Sequence, residues 1–285
     1  MTWLAGRVTR FWVNDGLVDL ERATVSVLDH GLTVGDGVFE TILVRDGVPF
    51  ALTRHLARLG RSLLGLGIEG PADDVVRGAV EAVVSGSGVA TDFSRLRVTV
   101  TSGPGPFGSE RGDSPPTLIV TLAEAHVWGP STALATVPWV RNERSAIAGL
   151  KTTSYAENAI ALAAAKRRGA SEAVLADTQG RLCECTGSNV FVVIDGEAFT
   201  PALDCGCLQG VTRELVLEWG PAVVAVHEAH LPYDVLFTAD EVFITSSTRD
   251  VHPVVRVDER DLHVGPVTRV LADRFTACAK EDVDP

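Results

Sequence analysis

The sequence predicts a mixed α/β (α+β) chain in two domains. Three observations carry this: two hairpin signals in the first fifty residues, two amphipathic helical stretches after them, and alternating strand and helix patterns from about residue 133. FWVNDGLVDL reads as a hairpin turning at Asn14-Asp15-Gly16, and VFETILVRDGVPFAL as a second turning at Asp46-Gly47, because such residues accept the positive φ of tight hairpin turns. Residues 54–67 put Leu56, Leu59, Leu63 and Leu66 on one helical stripe, and 72–84 form a second helix. Strands at 95–102 and 117–122 flank SGPGPFGSERGDSPP, whose glycines, prolines and polar residues exclude a regular element and mark a loop of functional type.

The strand pattern stops near residue 123 and restarts with LATVPWV, which predicts a smaller domain over 1–123, a connector over 124–132 and a larger domain over 133–285. Within the latter, a helix at about 155–168 ends at Gly169. Strands follow at 172–176 and 189–194, then a helix from about 211, strands at 222–227 and 241–245, and a last helix from 265.

With 46% hydrophobic and 22% charged residues, the 285-residue chain has ample material for a core. No apolar stretch approaches the roughly 20 residues that span a bilayer. MTWLAGRVTRFW lacks a signal-peptide core, so a cytoplasmic location is expected. A net charge of -12 argues against nucleic acid or anionic lipid as partner and favours a small molecule. Two C-x-C pairs, Cys183/Cys185 and Cys205/Cys207, could form a four-thiolate zinc site, and a zinc-stapled binding protein is therefore a rival reading. The plainer reading is reduced core thiols, with Cys183 and Cys185 on one strand face and Glu184 on the other.

Lysines are mostly solvated. Lys151, however, follows AIAGL and precedes the nearly uncharged ENAIALAAA, a setting that would desolvate its amine and lower its pKa toward nucleophilic competence. The motifs GLKTTSY, RLCECTGSNVF, LQGVTRELV and EVFITSSTRDVHPV follow in that order, preceded by VLDHGLTVGDGVFET and HLARL. Together, over about residues 25–255, they resemble the class IV aminotransferases, the fold-type IV pyridoxal-phosphate enzymes. That family includes D-amino-acid and branched-chain aminotransferases, (R)-selective amine transaminases and 4-amino-4-deoxychorismate lyases. The resemblance implies two domains with pyridoxal phosphate in the cleft between them, and a homodimer.

It also implies roles. Lys151 matches the Schiff-base lysine that moves a proton between substrate and cofactor, and Glu184 the carboxylate that keeps the pyridine nitrogen protonated. Arg58 matches the phosphate arginine. Val211 and Thr212 open a helix behind Gly210, where amides and a hydroxyl favour an anion; Ser246 and Ser247 match further phosphate donors. Leu208 matches the apolar residue under the ring, Tyr155 could reach the phenolic oxygen if the helix has begun by then, and Phe39 matches a pocket-lining aromatic. Without the motifs each has a plainer reading: a strand glutamate, a solvated helix arginine, an ordinary N-cap, a turn, a core leucine.

The substrate remains open at this point. The chain reads TILVRDG after GDGVFE, unlike typical branched-chain enzymes, and its 102–116 loop lacks the R-x-H of D-amino-acid enzymes. Arg111, Arg141, Arg144 and Arg249 are candidates for holding a substrate carboxylate. GDGVFE favours a D-amino-acid aminotransferase using 2-oxoglutarate or pyruvate; the alternative is 4-amino-4-deoxychorismate lyase.

Overall fold

The computed structural model describes residues 8–86 and 93–285. It divides into two compact units: residues 1–126 with 150–155 and 283–285, and residues 127–149 with 156–282. The segment containing Lys151, assigned from sequence to the C-terminal half, groups with the first unit because its backbone pairs there. Phe39 donates its N–H to Lys151 O at 3.0 Å, and Thr153 donates to Gly37 O at 2.8 Å.

The first unit is an antiparallel sheet covered by two helices. Its elements are β1 (Val8–Val13), β2 (Gly16–Val18), α1 (His30–Thr33), β3 (Gly37–Arg45), β4 (Val48–Pro49), α2 (Leu52–Leu66), α3 (Asp73–Ser85), β5 (Phe93–Thr101) and β6 (Thr117–Glu124). The strand order is β2-β1-β6-β5-β3-β4. Both predicted hairpins form: Val13 pairs with Gly16 around Asn14, φ 53°, and Arg45 with Val48 around Asp46 and Gly47, φ 48° and 78°. Two positive φ values in succession suit the right-handed strand twist, which explains the Asp-Gly pair. The leucine stripe of α2 does what its spacing dictates: Leu56, Leu59 and Leu63 are buried against Val38, Ile42, Leu96 and Val98, with Leu66 partly covered. Strand alternation then leaves Phe39, Thr41, Arg95, Arg97 and Thr99 on the opposite sheet face.

The second unit contains β7 (Thr132–Arg141), α4 (Ala156–Arg167), β8 (Glu172–Asp177), β9 (Leu182–Cys185), β10 (Asn189–Ile194), β11 (Glu197–Pro201), α5 (Val211–Trp219), β12 (Val226–Ala229), β13 (Glu241–Ser246), β14 (Asp250–Val257), β15 (Arg260–Asp261) and α6 (Pro266–Glu281). The strand order is β12-β11-β10-β13-β14-β7-β8-β9, with β15 on β14. β7 runs parallel to both β8 and β14, and the sheet is mixed. Alanines let α4 lie close: Ala161 and Ala165 pack on Ala135 and Ala173. No helix among the described residues is long and apolar enough to cross a membrane.

β14 went unread in the sequence because Pro253 lies within it, and proline cannot donate to a ladder. Pro253 sits opposite Phe243, and the register toward β7 shifts between Val254 and Arg256. The strand at β9 also departs from simple alternation. Leu175 pairs with Glu184 but Ala176 with Leu182, so Cys183 is the extra residue of a bulge. The expected shared face of Cys183 and Cys185 is therefore lost. Cys185 joins the core with Val174 and Leu182, whereas Cys183 clusters with Cys205 and Cys207. The four thiols are not assembled as a zinc site, and among the described residues no group of three or more metal-ligating side chains could hold a metal.

Candidate active site

Each unit gathers a set of the sequence-predicted residues. In the first, Phe39 is the centre. Its ring, 5% exposed, has Lys151 Nζ at 4.5 Å from the centroid, the Arg97 guanidinium carbon at 3.8 Å and the Tyr155 ring edge-on at 5.1 Å. β3 supplies Phe39 and β5 supplies Arg97, on the sheet face that α2 and α3 do not cover. Lys151 is fixed through its backbone, donating N–H to Ser62 Oγ at 3.1 Å while its carbonyl accepts from Phe39. Helix α4 begins at Ala156, so Tyr155 precedes it and the condition attached to its placement is not met; the ring instead reaches Phe39 from the extended segment.

Immediately beneath, on the covered side of β3, lies a fully buried charge cluster. Arg58 donates from Nε and Nη2 to Glu40 Oε1 and Oε2 at 2.8 and 2.7 Å, and His55 Nδ1 lies 2.7 Å from Glu40 Oε2. Burial alone would raise the Glu40 carboxyl, but the charge and hydrogen bonds of Arg58, with His55, outweigh it and hold the group far below the carboxylate range. Burial pushes His55 below its ordinary value despite Glu40, and because the ionised carboxylate can only accept, Nδ1–H is the donor. Glu40 and His55 were not singled out from sequence. The signal available was H-x-x-R on α2, which puts His55 and Arg58 on one face, opposite an acid in β3 of inward-facing parity. Arg97 was also missed, and β5 alternation alone could have placed it beside Phe39.

In the second unit Glu184 is the centre. Leu208 donates N–H to Glu184 Oε2 at 2.9 Å, and Arg141 Nε donates to Oε1 at 3.1 Å. Arg141 also donates to Asn158 Oδ1 at 3.1 Å, so its guanidinium is engaged in orienting the carboxylate. Leu208 is held by its carbonyl too, which accepts from Asn189 Nδ2 at 2.8 Å. Gly210 then caps α5 without any side-chain bond, leaving its first amides, at buried Val211 and Thr212, without side-chain caps. Ser246 ends β13 and Ser247 opens the turn beyond. Thr245, just before them and paired with Asn189, is 1% exposed with its hydroxyl lacking a protein partner. Uncapped amides and an orphaned hydroxyl fit an anionic phosphate.

The remaining arginine candidates are differently placed. Arg111 forks onto Asp36 at 2.6 and 2.7 Å and donates to the carbonyls of Leu66 and Gly67, tying the 102–116 loop to α2. That guanidinium holds the Asp36 carboxyl below its usual range. Arg144 is exposed. Arg249 is buried, stacked 3.3 Å over Trp128, with Nε 3.4 Å from Glu172 Oε1 and Nη2 donating to Ser171 Oγ. Glu172 in turn accepts from Gly187 N and Ser188 Oγ at 2.7 and 2.6 Å, pinning the β9–β10 connection behind Glu184.

His252, 6% exposed on β14, completes this cluster. Burial, then the Arg249 charge, pushes its pKa down to about 4. Because the unfolded chain binds the proton near pH 6.5, stability is lost as pH falls from there toward 4. Denaturant titrations should show about 2 kcal/mol less stability at pH 5 than at pH 7 from this group, a slope that His252→Asn removes.

Comparison with known proteins identifies the family to which this fold belongs. Residues 37–257 match the family model for class IV amino-transferases, and the chain belongs to that family. It is 32% identical to a putative branched-chain-amino-acid aminotransferase of Methanocaldococcus jannaschii, over 93% of this chain and 95% of the relative. It is 31% identical to a D-alanine aminotransferase of Listeria innocua, over 92% and 93%. Its fold is similar to the crystal structure of a branched-chain aminotransferase from Thermoproteus uzoniensis, with TM-score 0.89, 27% identity and 94% of both chains covered. Class IV aminotransferases use pyridoxal phosphate.

Proposed function

We propose that this chain moves an amino group between a branched-chain L-amino acid and a 2-oxo acid such as 2-oxoglutarate. The observation that carries the reading is the pairing of Lys151 and Arg97 around Phe39: an amine able to move a proton, beside a guanidinium that no carboxylate among the described residues engages. Bound pyridoxal phosphate supplies an electron sink for the substrate Cα. Lys151 would hold that group and move the proton at the substrate Cα. Glu184, oriented by Leu208 N–H and Arg141, would face the ring nitrogen, with Leu208 packed on the ring. The amides of Val211 and Thr212 and the hydroxyls of Ser246 and Ser247 would hold the phosphate, and Arg58, whose Nε and Nη2 are already engaged by Glu40, would contribute through the rest of its guanidinium. Arg97 is the cation best placed for a substrate carboxylate, and Phe39 and Tyr155 line the apolar part of the pocket.

The branched-chain donor is supported by the relative at 32% identity and the fold neighbour at 0.89. D-alanine is the second reading, supported by the Listeria relative and by GDGVFE. The test supplies 2-oxoglutarate with L-leucine and, separately, with D-alanine. Amino-group transfer from L-leucine is the expected result; transfer from D-alanine with none from L-leucine overturns the donor assignment.

Gly210→Ala tests the phosphate end. A Cβ there would collide with Asn189 Oδ1, whose amide holds Leu208. Overpacking of about 1–2 kcal/mol should weaken cofactor binding roughly tenfold, read by titrating the apoprotein with pyridoxal phosphate. We also propose a homodimer, supported by the exposed apolar side chains Val27, Leu32 and Phe107 of the first unit. Light scattering on the eluting protein is the measurement, and a monomeric mass would refute it.

A further inference from the structure

The cluster of Cys183, Cys205 and Cys207 takes no part in the proposed chemistry. All three are at most 2% exposed, in a pocket of their own apart from the main cores. The Cys183 thiol donates to Cys205 O at 3.2 Å, and the Cys183 and Cys205 sulfurs lie 3.5 Å apart. The β9 bulge is what brings this about: Cys183 is the residue left without a partner on β8, and its side chain turns toward the segment 202–208 rather than into the sheet core. Cys205 lies beneath the surface segment that carries Arg181, Ala202, Asp204, Ala229 and His230, and at 2% exposure it meets a small oxidant when that segment opens locally.

We propose that Cys183 and Cys205 form a two-electron oxidation site that a small peroxide converts into an intramolecular disulfide. The Cys205 sulfur attacks the peroxide O–O bond, becoming a sulfenic acid and releasing one water with its own proton. The Cys183 sulfur then attacks the Cys205 sulfur, and its proton leaves with the displaced hydroxide as a second water. Two thiols and one hydrogen peroxide give one disulfide and two waters. Thiol neighbours on both sides hold the Cys205 thiol below its ordinary range, which suits it to the first attack. Cys207 is the poorer resolving partner, because a disulfide to Cys205 across the single residue Gly206 closes a small ring.

The bond joins two segments that matter. Cys183 immediately precedes Glu184, and Cys207 immediately precedes Leu208, whose amide holds Glu184. Oxidation therefore ties the strand carrying Glu184 to the segment that orients it.

The test treats holoenzyme with hydrogen peroxide, blocks remaining thiols without reduction and maps the peptides. Trypsin leaves Cys183, Cys185, Cys205 and Cys207 together in Leu182–Arg213, and further cleavage after Glu184 and at Asp195 or Asp204 separates Cys183 from Cys185 and from Cys205. The expected product has lost two hydrogens, links the Cys183 and Cys205 peptides, and reverts with dithiothreitol. Cys183→Ala and Cys205→Ala should each abolish the link, while Cys207→Ser and Cys185→Ser keep it. All thiols still free after exposure, sulfinic acid without a link, or a link surviving in Cys183→Ala would each overturn the proposal. None of these readouts depends on which substrate the enzyme uses.

Discussion

Lys151→Ala should abolish the yellow colour of the purified holoprotein and reduce amino-group transfer by at least about a thousandfold, the range for loss of a residue serving as both nucleophile and proton carrier. The side chain adds little packing: it is half-buried, and its main-chain bonds to Phe39 and Ser62 survive the substitution. Thermal unfolding of the variant should therefore stay within a few degrees of the parent, which separates chemical loss from collapse. Arg97→Ala provides the contrast. Its guanidinium lies over Phe39 and donates to Thr99 Oγ1 at 3.2 Å, and no carboxylate among the described residues pairs with it. Colour should persist while KM for the 2-oxo acid rises about tenfold or more, as expected when a charge-assisted contact is removed. A Lys151→Ala protein that kept both its colour and its turnover would remove the basis of the proposed function.

Local rules accounted for the elements whose determinants are themselves local. The two hairpins were readable because Asn14-Asp15 and Asp46-Gly47 supply the backbone freedom the turns need. Helix α2 was readable because one leucine stripe faces one sheet. Where a tertiary constraint overrides the local pattern, reading from the sequence fails. Pro253 argues against a strand, yet β14 forms between two neighbours that tolerate one missing donor. The bulge at Cys183 reverses the faces that alternation assigns to the residues around it.

The site divides in the same way. Motif resemblance picked out Lys151, Glu184 and Arg58, but not what orients them, since those partners are distant in sequence or carry no motif of their own. Leu208 N–H reaches Glu184 only because the 202–208 segment folds back along β9. Arg141 was nominated for substrate because it is a cation near Lys151 in sequence; in the fold its charge is spent on Glu184 and Asn158. A guanidinium committed to a carboxylate differs from one that is not, and only geometry distinguishes them.

Glu40→Gln should cost about 3–5 kcal/mol of stability at neutral pH, the range for breaking a buried ion pair, because the Arg58 charge would be left 4% exposed without its counter-ion. The amide oxygen can still accept one bond, but Arg58 forks onto both carboxylate oxygens, and the amide nitrogen that replaces one of them leaves an Arg58 donor unmatched. The pH dependence supplies a second signature. Glu40 has a folded pKa far below its unfolded value near 4.3, so its contribution is fully present above that value and is lost as pH falls below it. Urea titrations from pH 7 to pH 3 should therefore show the gap between parent and variant constant down to about pH 5 and narrowing below about pH 4, without closing by pH 3. Replacing Glu40, His55 and Arg58 together by apolar residues of similar volume should recover much of the lost stability, since the desolvation cost then disappears with the charges. On the phosphate role proposed for Arg58, it should not recover cofactor binding. A triple variant that regained stability and also bound pyridoxal phosphate with parental affinity would show that Arg58 is there for the fold alone.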